Sequence, residues 1–337
     1  MANASISSSR PVTIPLSPES DIASITVVVE EFLRQHSLKG KRVCVALSGG
    51  MDSVVLLDVV ARLRAVLDLD VDAIHVHHGL SPNADSWANF CATLCAARDI
   101  ALTTKNVDVD RKSSFGLEGA AREARYAAFA AAGAPFVLLA QHADDQAETV
   151  LHQLLRGTGL KGMAGMGEAR VVSGTQTLLR PLLKMSRAEI EAAARERELI
   201  WIEDEANLDI DYTRNFLRHQ IMPPLAARFP HYRVSLARAA MHACEADEML
   251  EALARIDLQW DGESAIATAL DALPAPRQIN ALYHWLNWQR MPSPSHAQLA
   301  QWAAQLFRPA PTGKPQLAGG HDFLIRRANN RLQLVPK

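Results

Sequence analysis

No stretch of the 337 residues reaches the roughly twenty consecutive apolar side chains that a membrane-spanning helix needs. The longest candidate, residues 127–140, is interrupted by Gly133 and Pro135. The first 23 residues are rich in Ser and Pro and have no continuous apolar core of the kind a secretory leader carries. They read as a loose arm, no membrane partner is expected, and the expected location is the cytoplasm. Cysteine is scarce: Cys44, Cys91, Cys95 and Cys244 contain no C-x-x-C pair and read as reduced structural thiols. A surplus of one charge is also missing, since 35 Lys and Arg stand against 37 Asp and Glu. Any nucleic-acid surface must therefore be a local feature. Aromatic residues make up only 6% of the chain, but with 48% hydrophobic and 21% charged residues the composition is that of an ordinary globular protein. Disorder, collagen and coiled coil are excluded as whole-chain structures, and the length favours two domains.

What is present is an alternation. Residues 43–47 (VCVAL) form a short β-branched run that ends in Ser48-Gly49-Gly50 and is followed by helix-period apolar residues from Val54. The pattern repeats as strand 71–76, helix 84–98, strand 101–107, helix 117–131, strand 136–139 and helix 146–155. It predicts an α/β fold with a parallel, doubly wound sheet. Ligands of such sheets sit beyond the carboxyl ends of the strands, where the polar clusters 48–53, 77–79 and 141–145 fall. A charged helix over 186–198 and an irregular acidic stretch over 203–211 come next. Residues 212–240 then hold five arginines (Arg214, Arg218, Arg228, Arg233, Arg238) and no acid. The remainder is helical in pattern, with breaks at Pro274, Pro276, Pro292 and Pro294 and a basic tail closing in one or two strands over 323–327 and 331–335. We expect an arm over 1–23, a nucleotide-binding catalytic domain over 24–220, and a mostly helical second domain over 221–337.

Ser48-Gly49-Gly50-Met51-Asp52-Ser53 lies between strand and helix. Two glycines let the backbone approach an anion, and a helix start offers N–H groups to it, so the segment reads as a phosphate cradle; a plain capping turn is the alternative. It is not a Walker A loop, because no G-x-x-x-x-G-K-[ST] occurs. Gly157 to Gly162 matches G-x-G-x-x-G, but it follows a helix, which removes the dinucleotide reading. His75, His77, His78, His142, Asp144 and Asp145 admit a zinc cluster; phosphate or ribose contacts suit the position better, and His75 has a core reading as well. Asp145 and Glu148, three apart at a helix start, can hold a cation or simply favour the helix dipole. Arg122 and Arg125 taken alone describe a solvated helix face, and residues 212–218 an exposed basic helix.

Taken together, SGGMDS (48–53), HVHHGL (75–80), EGAAREARY (118–126), QHADDQAETVLHQLLRGTGLKGMAGM (141–166), RPLL (180–183) and EDEANLDIDYTRNFLRHQIMP (203–223) resemble, in order and spacing, bacterial tRNA(Ile)-lysidine synthetases of the PP-loop ATP pyrophosphatase superfamily. Residues 225–337 resemble that family's first carboxyl-terminal domain in outline. The chain departs from the pattern at Ala206, where Ser is usual, and Gln141, where His is frequent. It also ends where some members continue into a further domain.

The resemblance implies a ligase that uses ATP and Mg²⁺ to join free L-lysine to C2 of the wobble cytidine of a CAU-anticodon tRNA(Ile). It implies ATP contacts from Ser48, Gly49, Gly50, Met51, Asp52, Ser53, His75 and His142, with Asp52 holding the metal. Asp145, Glu148 and Arg214 would bind lysine. Asp52, Asp145, Arg122 and Arg214 would form the catalytic set, the roles of the two arginines not being separated. The basic stretches put tRNA contacts at Arg214, Arg218, Arg228, Arg233, Arg326 and Arg327. A homodimer is admitted by the sequence without being required. The competing functions are a cytidine 2-thiolase, which usually carries C-x-x-C, a small-molecule amide ligase, and a non-catalytic tRNA or nucleotide binder.

Overall fold

The computed structural model describes residues 24–110, 112–113, 116–173, 176–260, 265–292, 294–307, 316–319 and 323–336. In chain order the elements are α1 (Ile25–Gln35), β1 (Arg42–Ala46), α2 (Met51–Leu63), β2 (Asp70–His77), α3 (Ala84–Ala96), β3 (Ala101–Asn106), α4 (Gly116–Ala131), β4 (Phe136–Leu138), α5 (Ala143–Leu155), α6 (Leu160–Met163), β5 (Ala169–Ser173), β6 (Gln176–Leu179), α7 (Arg187–Glu196), α8 (Thr213–Phe216), a π-helical turn (Leu217–Ile221), α9 (Met222–Arg228), α10 (Tyr232–Asp257), α11 (Ala275–Trp288), α12 (His296–Leu306), β7 (Gln316–Gly319), β8 (Phe323–Ala328) and β9 (Arg331–Pro336). Short 3₁₀ turns cover Glu205–Leu208 and Thr268–Ala272.

Packing divides the chain into two compact units, Met1–Asp144 with Gly167–Asn207, and Asp145–Met166 with Leu208–Lys337. These units cut the chain differently from the boundary near residue 220 expected from sequence, because residues 145–166 go with the second unit. The apolar side of α5, with Ala147 buried and Leu151 beside it, packs on Met222, Leu225, Ala226, Tyr232 and Leu236 of α9 and α10.

The first unit is built on a six-stranded sheet of order β3-β2-β1-β4-β6-β5. Its strands are parallel except β5, which runs antiparallel to β6 at the edge. The parallel doubly wound sheet expected from sequence is therefore present, with two further strands and one reversed edge. In β1, Val43, Cys44 and Val45 are all buried, because helices cover both faces of the sheet. α2 is apolar on nearly every side and buries Val54, Val55, Leu56, Leu57, Val59 and Val60. α7 begins in a capping box in which Ser186 and Glu189 satisfy each other's backbone N–H. Asp58 is a buried charge in α2 that gathers Arg62, Arg98 and Arg197 at 2.8, 3.1 and 3.3 Å. Burial opposes the charge of Asp58, but these donors outweigh it and hold the carboxyl below its ordinary range.

In the second unit, α10, α11 and α12 enclose a core of Leu282, Trp285, Leu286, Trp302 and Leu306, which the antiparallel β7-β8-β9 ribbon closes through Ala318, Ile325 and Leu332. Among its described residues the tail holds three strands, against the one or two the sequence suggested. The expected proline breaks act as helix starts: Pro274 caps α11, and Pro276 sits in its first turn, where a missing N–H costs nothing. Ser295, next to Pro294, opens α12 with a second capping box.

Candidate functional site

The turn after β1 is shaped by its serines. Ser53 Oγ donates to the Gly50 carbonyl at 2.9 Å and accepts from the Ser48 N–H at 3.2 Å, while Ser48 Oγ accepts from the Gly50 N–H at 3.3 Å. Ser53 is buried, so its hydroxyl fixes the loop from beneath. Gly49 has φ +92°, and a Cβ there would meet Ile202 Cδ1 at 2.8 Å and Cys91 Sγ at 3.3 Å, so glycine is required. The Gly49 carbonyl accepts from the Ile202 N–H at 2.9 Å, tying the turn to the segment after α7. This geometry fits a pyrophosphate: a backbone bare of side chains leads into the N-terminus of the thirteen-residue α2, with Met51 at its first position and Asp52 in its first turn.

His142 follows β4 and is almost fully buried. Its Nε2 lies 3.7 Å from Asp52 Oδ2 and its Nδ1 3.8 Å from Asp144 Oδ2, so one imidazole bridges two carboxylates. Asp144 also accepts from the Arg187 N–H at 2.8 Å. His75 is placed as a core residue. Its Nδ1 is 2.9 Å from the Leu47 carbonyl and 3.5 Å from Cys91 Sγ, and burial lowers its pKa below the ordinary imidazole value. It holds the strand end that leads into the turn. Burial, then Arg125, pushes the His78 imidazole down to about 4. His77 pairs with Asp85 at 3.0 Å.

In the second unit, α5 presents Asp145 and Glu148 on one face. Arg214 donates from Nε to Glu148 Oε2 at 3.0 Å and from Nη2 to Asp145 Oδ1 at 2.9 Å. Arg218 donates from Nη2 to the same Asp145 oxygen at 3.0 Å and from Nε to Glu148 Oε1 at 2.7 Å. Two carboxylates and two guanidiniums thus form one closed cluster, with the Glu148 side chain only 3% exposed. Burial opposes the charge on Arg214, but Asp145 and Glu148 outweigh it and raise the pKa. Arg214 lies in α8 and Arg218 in the π-helical turn that continues it, so a spacing of four brings both to the same pair of acids. Gln146, between the acids in sequence, is structural: its amide donates to the Met166 carbonyl at 3.0 Å and accepts from the Met166 N–H at 2.8 Å. The Gly157–Gly162 segment follows α5 and opens α6 with Gly159 as its cap, in agreement with its rejection as a dinucleotide loop.

The remaining candidates are more scattered. Arg122 is exposed on α4 and donates to the Tyr126 hydroxyl at 3.3 Å. Arg228 is exposed beside Phe229 and Arg233 lies over Tyr232, each as a cation on an aromatic ring. Arg326 is exposed and bonds Gln333 at 2.7 Å. Arg327 is committed to the fold: it grips both oxygens of Asp271 at 2.5 and 2.7 Å and donates to the Leu306 carbonyl at 3.1 Å. Arg180 of the RPLL segment had no assigned role in the sequence. It is 2% exposed and donates to Gln141 Oε1 at 2.5 Å and to the Gly167 carbonyl at 2.7 Å. A lone cation inside the apolar run TLLRPLL was the signal for it.

Residues 23–225 match the PP-loop domain family, and residues 267–333 match the TilS substrate binding domain. A "tRNA(Ile)-lysidine synthase" of Azoarcus sp. (strain BH72) is 46% identical over 290 residues, covering 83% of this chain and 63% of that protein. The protein of the same name from Chromobacterium violaceum is 41% identical over 299 residues, covering 87% of this chain and 68% of its own length. The chain thus spans about three fifths to two thirds of these relatives. Among solved structures, the U34-tRNA thiolase NcsA from Methanococcus maripaludis, with its [4Fe-4S] cluster, superposes with a TM-score of 0.56 at 18% identity, covering 66% of this chain and 78% of that one. This likeness shows a shared fold. With the serine-shaped turn, the acid pair of α5 and the family matches together, the chain belongs to the tRNA(Ile)-lysidine synthase family of PP-loop proteins.

Proposed function

We propose that the protein ligates free lysine to C2 of the wobble cytidine in a CAU-anticodon tRNA(Ile), consuming ATP. The family membership supports this reading, and the observation that carries it is the acid pair Asp145 and Glu148, on one face of α5 and within hydrogen-bond distance of two guanidiniums. Free lysine is a cation with a reference pKa of about 10.4, so a site for it needs carboxylates, and its ε-ammonium must lose a proton before attack.

In this reading the cytidine C2 oxygen attacks the α phosphorus of ATP and pyrophosphate leaves. The turn at Gly49 and Gly50 and the start of α2 receive the negative charge of that leaving group. Asp52 would hold Mg²⁺, which when bound neutralises phosphate charge. His142 Nε2 stands 3.7 Å from the Asp52 carboxylate, within ion-pair distance of it. The lysine ε-amine then attacks C2, and AMP departs with the former C2 oxygen. Asp145 or Glu148 is suited to take the proton, and Arg214 can meet the amino acid's carboxylate or a phosphate bidentately. The base pairs afterwards with A instead of G. Sulfur transfer is less well supported, because the four cysteines of the sequence contain no C-x-x-C pair.

The test is incorporation of labelled lysine into unmodified CAU-anticodon tRNA(Ile) with ATP and Mg²⁺, with initiator methionine tRNA as control. Label in the isoleucine tRNA alone is the expected result. ATP consumption to AMP and pyrophosphate without label would require a different nucleophile.

A further inference from the structure

Tyr126, in the first unit, is the meeting point of three guanidiniums. Arg122, one turn earlier on α4, donates to its hydroxyl and lies 5.3 Å from the ring centroid. Arg170, from the reversed edge strand β5, lies 5.8 Å from the same centroid. Arg180, buried at the end of β6, reaches the Tyr126 side chain as well, and its guanidinium is otherwise held by the neutral acceptors Gln141 and Gly167. Among the described residues no carboxylate lies within ion-pair distance of Arg122, Arg170 or Arg180. Two other arginine clusters among the described residues are compensated: Asp58 serves Arg62, Arg98 and Arg197, and Asp145 with Glu148 serves Arg214 and Arg218. Burial lowers the pKa of Arg180 and Tyr126 opposes that shift, while the like charges of Arg122 and Arg170 add to the lowering.

Like charges gathered on one ring cost free energy unless an anion joins them. Arg122 and Arg170 are both exposed, so an anion has access. We propose that Arg170 and Arg122, splayed on the Tyr126 ring and backed by Arg180, form a phosphate-binding plate for the backbone of an RNA substrate. This inference rests on the reading of the chain as an enzyme acting on tRNA. The open character of the plate favours a polynucleotide phosphate over the phosphates of ATP, for which the turn at residues 48–53 is already built. Guanidinium suits the task, since its planar fork meets phosphate while its face rests on the aromatic ring. Arg170 thereby acquires a role that its place at the sheet edge would otherwise leave empty.

The experiment measures binding of unmodified CAU-anticodon tRNA(Ile) against salt concentration for the wild type, Arg170→Ala, Arg170→Lys and the surface control Arg195→Ala, with ATP affinity measured alongside. Loss of one phosphate contact lowers the slope of log K against log salt by about 0.7 for single-stranded RNA. The expected result is that loss for Arg170→Ala, a slope near the wild type for Arg170→Lys with weaker binding, and no change for Arg195→Ala. A wild-type slope in Arg170→Ala overturns the proposal while leaving the enzyme reading intact. A fall in ATP affinity with an unchanged slope assigns the plate to the nucleotide and also overturns it. A wild type that binds the tRNA without salt dependence, or not at all, overturns the proposal and the RNA reading together.

Discussion

Arg218 holds Glu148 with two prongs, Nε to Oε1 at 2.7 Å and Nη2 to Oε2 at 2.9 Å, and through the same guanidinium reaches Asp145. In this structure the proposed lysine carboxylates are therefore balanced by the protein's own arginines. Removing one partner of such a buried set leaves unpaired charge. Glu148→Gln is expected to destabilise the protein by about 2–3 kcal/mol, measured by urea unfolding. It should also raise the lysine requirement more than the ATP requirement in steady-state assays. The reverse order would move the lysine pocket elsewhere.

Gly49→Ala combines a left-handed backbone with a Cβ 2.8 Å from Ile202 Cδ1. The turn must shift to accommodate it, at a cost of roughly 1–3 kcal/mol. Equilibrium dialysis with ATP should show at least a tenfold loss of affinity. Retained affinity would mean that the turn does not contact the nucleotide.

Asp52→Ala removes the carboxylate in the first turn of α2, beside His142. Pyrophosphate release in the presence of tRNA should fall below detection, while tRNA affinity measured by filter binding stays within about twofold. A large loss of tRNA affinity would contradict the metal assignment.

The arginines of residues 212–240 divide by environment. Arg214 and Arg218 are engaged with carboxylates, whereas Arg228 and Arg238 are exposed. Replacing Arg228 and Arg238 together by Ala should reduce the salt slope of tRNA binding by about 1.4, at about 0.7 per contact. Arg218→Ala alone should change it less than either exposed residue does.

The His78 imidazole has its pKa pushed down by burial to about 4, against about 6.5 in the unfolded chain. Between these values the unfolded state binds the proton and the folded state does not, so stability falls as pH drops from 6.5 toward 4. The contribution is on the order of 2 kcal/mol after allowance for the partial exposure of the ring. Unfolding midpoints measured from pH 7 to pH 4.5 should show it, and His78→Gln should flatten that dependence.

Local pattern determined much of this protein. The alternation of β-branched runs with helix-period segments placed β1 to β4 and their helices, and the clusters following β1, β2 and β4 lay where a parallel sheet opens to ligands. Asp145 and Glu148 share a helix face through their spacing of three, and Ser48 to Ser53 read as an anion turn from composition and position alone. These features depend on neighbours within a few residues, so they are written in the chain.

Other features came from contacts between residues far apart in sequence. The strand β5 is short and exposed, and only its pairing with β6 shows that it runs against the rest of the sheet. Arg214 and Arg218 look like a solvated basic face in the sequence, yet partners 66 to 73 residues away take up their charge. Arg327 reads as a tail cation until Asp271, 56 residues earlier, closes on it. The gathering of Arg122, Arg170 and Arg180 on one tyrosine joins a helix, an edge strand and a strand end that no periodicity connects. Periodicity records which face of an element is buried; the partner of each charge is set only when the elements pack, because Coulomb energy depends on distances that the fold creates.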